Sequence, residues 1–480
     1  MQRVSNSYPC HYQTLPAHIP MQSSGITPPW QEYSVEGTGE RPVVTIAQVV
    51  SRFPKLSETF VLHEMIHLQR EYGIRVELFA LVRESTKTMH RDAVPFLRRL
   101  NSRPLLSGQV IGAQLYWLMR RSGTYARLWA QILAGSASSP RVLIRSVVVL
   151  LKAALFAQQA RRLRVHHIHA HFATYPALAA YCMHRLSRIP YTFTAHAHDI
   201  YMWKQWSLLA HKCRAASGIV TISEYNRSLL CWLCGTQVVD RVHVIRCGVD
   251  TVKFHPAQLR KRRGPLVLCV ASLEPYKGQE YLLQACVLLR RRGVQFSCVC
   301  VGAGSTLIPL RKQVEAEGLQ DKVRLIGPQP EHRVHRLLRR ASVFAHPSVV
   351  MKDGRADGVP VALMEAMAMG VPCISTKVSG IPELVEDRVT GLLVRQRDAA
   401  ALADAIELIL SDHSLSMTLA TRARARIEKE YDRRANVGRL AEILIPLTRE
   451  GHKPTPCATD VPVNSTDAAE WRRIGHACSA

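Results

Sequence analysis

The chain has 480 residues, with 63 Lys+Arg, 37 Asp+Glu and 47% hydrophobic residues, a composition that excludes a wholly disordered or collagen-like protein and provides for two or three domains. A formal net charge of +26 points to anionic partners, whether nucleic acid, a phospholipid surface or a phosphorylated small molecule, without choosing among them. Thirteen cysteines, of which only Cys231 and Cys234 stand at CxxC spacing, are too sparse for a disulfide scaffold and fit a reducing compartment.

Residues 1–40, with Pro28, Pro29, Gly37 and Gly39, lack hydrophobic periodicity and show no charged-then-apolar leader, so a flexible extension on a cytoplasmic protein is expected. Folding is expected from Arg41. A buried strand is predicted over 43–50, then a helix capped by Ser57 with Val61, Met65, Leu68 and Tyr72 on one face until Gly73, then a strand over 76–82. That strand-helix-strand unit is the building block of a helix-covered parallel sheet. From 84 to 164 Arg-rich helical patterns predict an all-helical elaboration. Its most apolar run, 142–157, is interrupted by Arg145 and Lys152 and is too charged to cross a bilayer. Arg141, Arg145 and Lys152 share one helical face, which fits either a helix lying over anionic head groups or a core helix on the first sheet. Strands over 165–170, 191–194 and 219–222 and the stretch 242–254 complete a first domain, 41–255.

The second half alternates more regularly. Strands are predicted over 266–271, 296–301, 323–326, 343–345 and 373–376, with helices over 279–291, 305–317, 361–369 and 400–410. These make a second doubly wound domain, 256–450, followed by a flexible tail at 451–480. Ligands of such sheets lie beyond the carboxyl ends of the strands, so the cleft between the halves is the expected site.

Residues 353–370 read DGRADGVPVALMEAMAMG. A Gly- and acid-rich loop enters a helix at Pro360, and the free first-turn N–H groups with the helix dipole suit a diphosphate. Asp357 in the loop and Glu365 in the helix offer carboxylates for a sugar hydroxyl and a ribose, with Gly358 and Val359 between them. The plain alternative is a capped surface helix with solvated acids. Lys277, in a strand-to-helix loop before Gly278, puts an ammonium on the same rim, where it would neutralise a leaving diphosphate. The GAG at 302–304 suits a turn as well as a phosphate contact.

In the first half, His196, His198 and Asp199 stand at the end of a strand, where one histidine would touch a transferred group. His167, His169 and His171 alternate along one strand face. With no acids or cysteines beside them they read as packed core histidines rather than metal ligands. Cys231 and Cys234 read as buried thiols. There is no GxxxxGK[ST] phosphate loop and no GxSxG elbow.

Taken together, SETF at 57–60, HAHF at 169–172, FTAHAHDIY at 193–201, RCGVDTVKFHP at 246–256, LEPYKG at 273–278, DGVPVALMEAMAMGVP at 357–372 and SGIPELVED at 379–387 resemble the retaining glycosyltransferases of family 4. The likeness runs from about residue 43 to about 445 and is nearest to the enzymes of bacterial exopolysaccharides of the colanic acid and amylovoran type. It implies an α/β protein of the GT-B fold, two Rossmann-like doubly wound parallel-sheet domains facing across a cleft. It also implies transfer of a sugar from a nucleoside diphosphate to a hydroxyl of a glycan or lipid-linked saccharide, with retention and without metal or other cofactor. By position, His196 and Asp357 are the catalytic candidates, facing the sugar, and Glu365 would hold the ribose while Lys277 contacts the diphosphate. Gly358, Val359 and Ser272 complete the donor-binding candidates. Two positions depart from the family pattern: Asp357 replaces a Glu, and Ser272 stands where an Arg is usual, which shifts the diphosphate's charge onto Lys277 and the helix amides.

Three other functions compete. A nucleotide-sugar epimerase would join the same two halves, and an inactive homologue would bind the donor only. A nucleic-acid binder would use the charge directly, but the basic residues are dispersed and carry no reading module. The partners expected are therefore a sugar donor and a saccharide acceptor, with an anionic membrane surface on the cytoplasmic side as a further one and no nucleic acid.

Overall fold

A computed structural model describes residues 44–55, 58–85, 91–137, 139–202, 208–256 and 264–445. The expected extension at 1–40, the tail at 451–480 and the cap at Ser57 lie outside the described residues.

Seven parallel strands form the first sheet: β1 (Thr45–Phe53), β2 (Arg75–Arg83), β3 (Leu100–Asn101), β4 (His167–His171), β5 (Tyr191–Ala195), β6 (Gly218–Thr221) and β7 (Val242–Val244), in the order β3-β2-β1-β4-β5-β6-β7. Six more form the second: β8 (Leu266–Val270), β9 (Ser297–Val301), β10 (Val323–Leu325), β11 (Val343–His346), β12 (Cys373–Thr376) and β13 (Leu392–Val394), in the order β10-β9-β8-β11-β12-β13. Helices cover both faces, so strands such as β4 and β5 are buried along their whole length rather than on alternate residues. In both sheets the strand order reverses beside the first strand, between β1 and β4 and between β8 and β11. Loops diverge at such switch points and leave a crevice. The expected pair of doubly wound sheets is thus present.

The helical elaboration contains the helices Gly108–Arg120, Ser122–Ser136 and Pro140–Arg162. It also contains β3, a two-residue edge strand inside a segment expected to be entirely helical. Pro140–Arg162 is a core helix: Val149, Leu150, Ala153, Phe156 and Ala157 are buried, and the Phe156 ring stands edge-on to Phe79 of β2 at 5.3 Å. Lys152 turns inward and donates to the Leu81 carbonyl at 2.5 Å, so it does not share a surface stripe with Arg141 and Arg145. The membrane reading of 142–157 therefore gives way to the packing reading. Of the large apolar side chains of Pro140–Arg162 only Ile144 is exposed, whereas Gly108–Arg120 exposes four, Ile111, Leu115, Leu118 and Met119. No helix among the described residues is long and apolar enough to cross a membrane.

One helix of the segment expected as the second domain, 256–450, packs outside it. Helix Arg433–Leu444 returns to the first domain, where Val437, Leu440, Ala441 and Leu444 complete a core with Ile46, Val61, Met65 and Leu68, and Arg434 pairs with Glu71 at 3.0 Å.

Candidate functional site

The switch point of the second sheet gathers the loops after β8 and β11. After β8 the chain makes a short turn, Pro275–Lys277, and leaves through Gly278 at φ +68°. A Cβ at Gly278 would fall 1.9 Å from the Pro347 carbonyl oxygen, so only glycine lets this loop press against the residues following β11. Val349 N–H seals the contact by donating to the Tyr276 carbonyl at 2.8 Å. The result is that Lys277 Nζ meets Asp357 Oδ1, while Oδ2 accepts from the Ser348 hydroxyl and lies 3.0 Å from His346 Nε2.

Asp357 is 6% exposed. Burial alone would raise its pKa, but the Lys277 charge and the hydrogen bond from His346 outweigh that and hold the carboxyl well below the usual carboxylate range. Asp357 is therefore an ionised group, with one oxygen on a cation and one on two neutral donors. Burial pushes the His346 pKa down, against the opposing pull of Asp357, which keeps the imidazole neutral with its Nε2–H toward the carboxylate.

Gly358 sits where the two domains touch. A Cβ there would lie 2.9 Å from Ala197 Cβ and 3.1 Å from the His196 carbonyl oxygen, so the missing side chain lets the loop lie against the end of β5. Val359 is buried beside it. Pro360 is the N-cap of helix Val361–Ala368 rather than its first helical residue. The N–H groups of Val361 and Ala362 meet no acceptor among the described residues. Ser272 is exposed at the start of the Lys277 loop, its carbonyl accepting from the Gln279 side chain at 3.0 Å. The glycines of the 302–304 turn back onto the carbonyls of Ala271 and Leu273, which accounts for them as packing.

Glu365 is half-buried in the middle of the same helix. Burial, reinforced by Glu331, pushes its pKa up to about 7 against the pull of Arg433 and Lys253. No contact among the described residues joins it to the Lys277–Asp357 pair.

The two histidines of the β5 loop divide differently from the expectation. His196 turns into the first domain, its ring 4.9 Å from Phe60, 4.7 Å from Phe172 and stacked on His171 at 5.7 Å. Burial pushes its pKa down to about 4. It lines a crevice with Phe60, Glu64, Thr194, Arg246 and Arg433 that encloses about 520 Å³, part of it open to solvent. His198 faces the other way: its ring stands edge-on to Tyr276 at 4.9 Å, and Asp357 and Lys277 are among the charges that act on it. Asp199 fixes this loop by accepting from Ala173 N–H at 2.7 Å, His196 N–H at 3.1 Å and Ala197 N–H at 2.7 Å. The buried Lys212 ammonium holds the adjoining Ala173 carbonyl at 2.5 Å.

Residues 58–253 match the family model described as Glycosyltransferase Family 4, and residues 251–426 the one described as Glycosyl transferases group 1. The GDP-mannose-dependent alpha-(1-6)-phosphatidylinositol monomannoside mannosyltransferase of Mycobacterium tuberculosis is 31% identical over 270 residues, 52% of this chain and 68% of that protein. This chain belongs to the family 4 glycosyltransferases. The amylovoran biosynthesis glycosyltransferase AmsK of Erwinia amylovora is 38% identical to this family member over 207 residues, 43% of this chain and 51% of AmsK. The chain thus spans about half the length of such curated relatives. In fold, the chain is similar to Anabaena HepE, solved in complex with UDP, at a TM-score of 0.62 and 18% identity, covering 83% of this chain and 99% of that one. Its architecture is accordingly GT-B.

The sequence reading found Lys277, Asp357 and Gly358 as one group and named His198 at the end of its strand, but singled out none of three further neighbours, Tyr276, His346 and Ser348. The polar HPS at 346–348, ending a strand beside the switch point, was the available signal for two of them.

Proposed function

We propose that the chain transfers a sugar, with retention of anomeric configuration, from a nucleoside diphosphate to a hydroxyl of a glycan or lipid-linked saccharide in exopolysaccharide biosynthesis. One observation carries this reading: at the switch point of the second sheet an ammonium meets a buried carboxylate in the loop that leads into a helix with free first-turn amides. The diphosphate takes the amides of Val361 and Ala362 and the Lys277 charge, with Gly358 and Val359 shaping the loop beneath it. Asp357 accepts from a sugar hydroxyl, Glu365 from the ribose, and Ser272 lies beside the phosphates. His198 approaches the sugar from the first domain, and His196, expected at the sugar, would reach it only by turning out of its place among Phe60, Phe172 and His171. The bond between the anomeric carbon and the phosphate oxygen breaks while the acceptor oxygen bonds to that carbon from the same face, and the acceptor's proton passes to the departing phosphate. No metal takes part in these steps.

The pathway is supported by the names of similar proteins, among them the amylovoran transferase AmsK. The donor base is open between the UDP bound by HepE and the GDP-mannose named for the mycobacterial relative. Calorimetric titration with UDP, GDP, ADP and their sugars is expected to show one tight diphosphate. Lys277→Ala should lower the transfer rate with the matching donor by about 10²-fold or more. Wild-type rates in Lys277→Ala and Glu365→Ala would sink the assignment. Turnover of the donor without acceptor would favour an epimerase, and binding without turnover an inactive homologue.

An anionic membrane on the cytoplasmic side is proposed as a further partner. Between residues 85 and 164 fourteen Lys and Arg stand against Asp92 alone, and the exposed Ile111, Leu115, Leu118 and Met119 lie in that segment. Cosedimentation with vesicles containing phosphatidylglycerol should be lost on Leu115→Ser with Met119→Ser, and binding unchanged by those substitutions would refute it.

A further inference from the structure

We propose that Glu64, His169 and His171 form a site for a divalent transition-metal ion of the zinc kind, at the switch point of the first sheet. His169 and His171 stand two residues apart on β4 and so share one side of it, and helix Thr59–Tyr72 brings Glu64 beside them. One potential ligand atom of each lies within 4.8 Å of the other two. His171 Nε2 stands 3.2 Å from Glu64 Oε1. Two ligands on a tetrahedral ion with bonds of about 2.0–2.1 Å are separated by nearly that distance.

The site also holds polar atoms that the protein alone leaves without partners. Glu64 Oε1, both ring nitrogens of His171 and Nε2 of His196 are buried and meet no atom in hydrogen-bond geometry, the close Glu64–His171 approach included. Native interiors rarely leave so many donors and acceptors unmatched in one place. A cation binding the carboxylate and the two imidazoles would satisfy most of them. Both ring nitrogens of His169 meet threonine hydroxyls. Its Nδ1 lies 2.7 Å from the Thr192 hydroxyl, which turns Nε2 inward, the arrangement by which a neighbouring group orients a ligating imidazole. Thr194 occupies Nε2 at 3.1 Å and would shift aside. Two imidazoles and one carboxylate select zinc-like ions over magnesium or calcium, which prefer oxygen ligands. The crevice lined by Glu64, Thr194 and His196 opens to solvent on the carboxylate's side of the site, which is the side from which an ion would enter.

An ion here would tie the first helix to β4 beneath the rings of Phe60 and His196. The inference stands apart from the proposed transfer reaction, because it is read without any sugar donor. The full chain, stripped by a chelator and dialysed, is titrated with Zn²⁺ in a calorimeter and with Co²⁺ in a visible spectrometer. The expected result is one equivalent bound, a tetrahedral Co²⁺ spectrum without thiolate charge transfer, and a higher unfolding temperature with Zn²⁺. Glu64→Gln and His171→Asn should each weaken binding by about tenfold or more, whereas Cys234→Ser should leave it unchanged. Absence of a stoichiometric ion, a thiolate band abolished by Cys234→Ser, or undiminished binding in folded Glu64→Gln and His171→Asn proteins would overturn it. If those variants fail to fold, the wild-type cobalt spectrum decides alone by the identity of its ligands.

Discussion

Asp357 owes its charge to its neighbours, and that dependence sets how the site answers to substitution. In Asp357→Asn the Lys277 ammonium stays in a nearly closed pocket without its counter-charge. Removal of one partner from such a pair is expected to destabilise the fold by about 3 kcal/mol, measured as a lower urea midpoint with an unchanged slope. Glu365 offers a pH signature. Its folded pKa, about 7, lies above the ordinary value of 4.5, so between those values the folded state holds more proton than the unfolded one and stability falls as pH rises. Wild type should be as stable as Glu365→Gln near pH 4.5 and less stable by up to about 3 kcal/mol above pH 7, as read from paired denaturation curves. A difference that stayed flat with pH would count against the buried placement. The pairing of Lys277 with Asp357 could be anticipated because each stands in a loop that follows a strand and leads into a helix at the same rim of one sheet. The separate directions of His196 and His198 were not, because β5 ends at Ala195 and a helix begins at His198, so strand alternation no longer tells which way a side chain points. Glu64 was hidden for another reason: more than a hundred residues, including the helical elaboration, separate it from the histidines it joins.

At the scale of elements, the long periodic pieces were legible and the short edge pieces were not. Helix 279–291 was expected with the bounds observed for Gln279–Arg291, since its apolar stripe spans several turns. β3 and β13, with two and three residues at sheet edges, carry too few alternations to register against their surroundings. Helix Pro140–Arg162 shows how context decides between two faces of one pattern: its apolar side fits lipid or sheet equally, and only the sheet's position chooses. Leu150→Ala should therefore cost about 2–5 kcal/mol, while Arg145→Ala on the exposed side should change stability by no more than about 0.5 kcal/mol, both by thermal or urea unfolding. Equal effects from the two would contradict the packing.

Across the whole molecule, Glu383 of the second domain caps a helix of the first. Its carboxylate accepts from the N–H groups of Glu224 and Tyr225 at 2.9 and 2.8 Å, at the start of helix Glu224–Cys234, and Arg246 approaches it at 3.4 Å. Such a bond can persist only while the halves stay together, so Glu383→Ala should favour an open arrangement. A larger radius of gyration by X-ray scattering and faster amide exchange at residues 224–226 are expected, and unchanged values for both would show that the cap does not govern closure. The return of helix Arg433–Leu444 to Ile46, Met65 and Leu68 bears on how the protein is made. Because translation proceeds from the amino end, the earliest-synthesised sheet must wait, with greasy surface bare, until residues 433–444 leave the ribosome. A polypeptide halted near residue 256 would carry that uncovered patch permanently and should clump, or recruit chaperones, unless a peptide spanning 433–444 is supplied beside it.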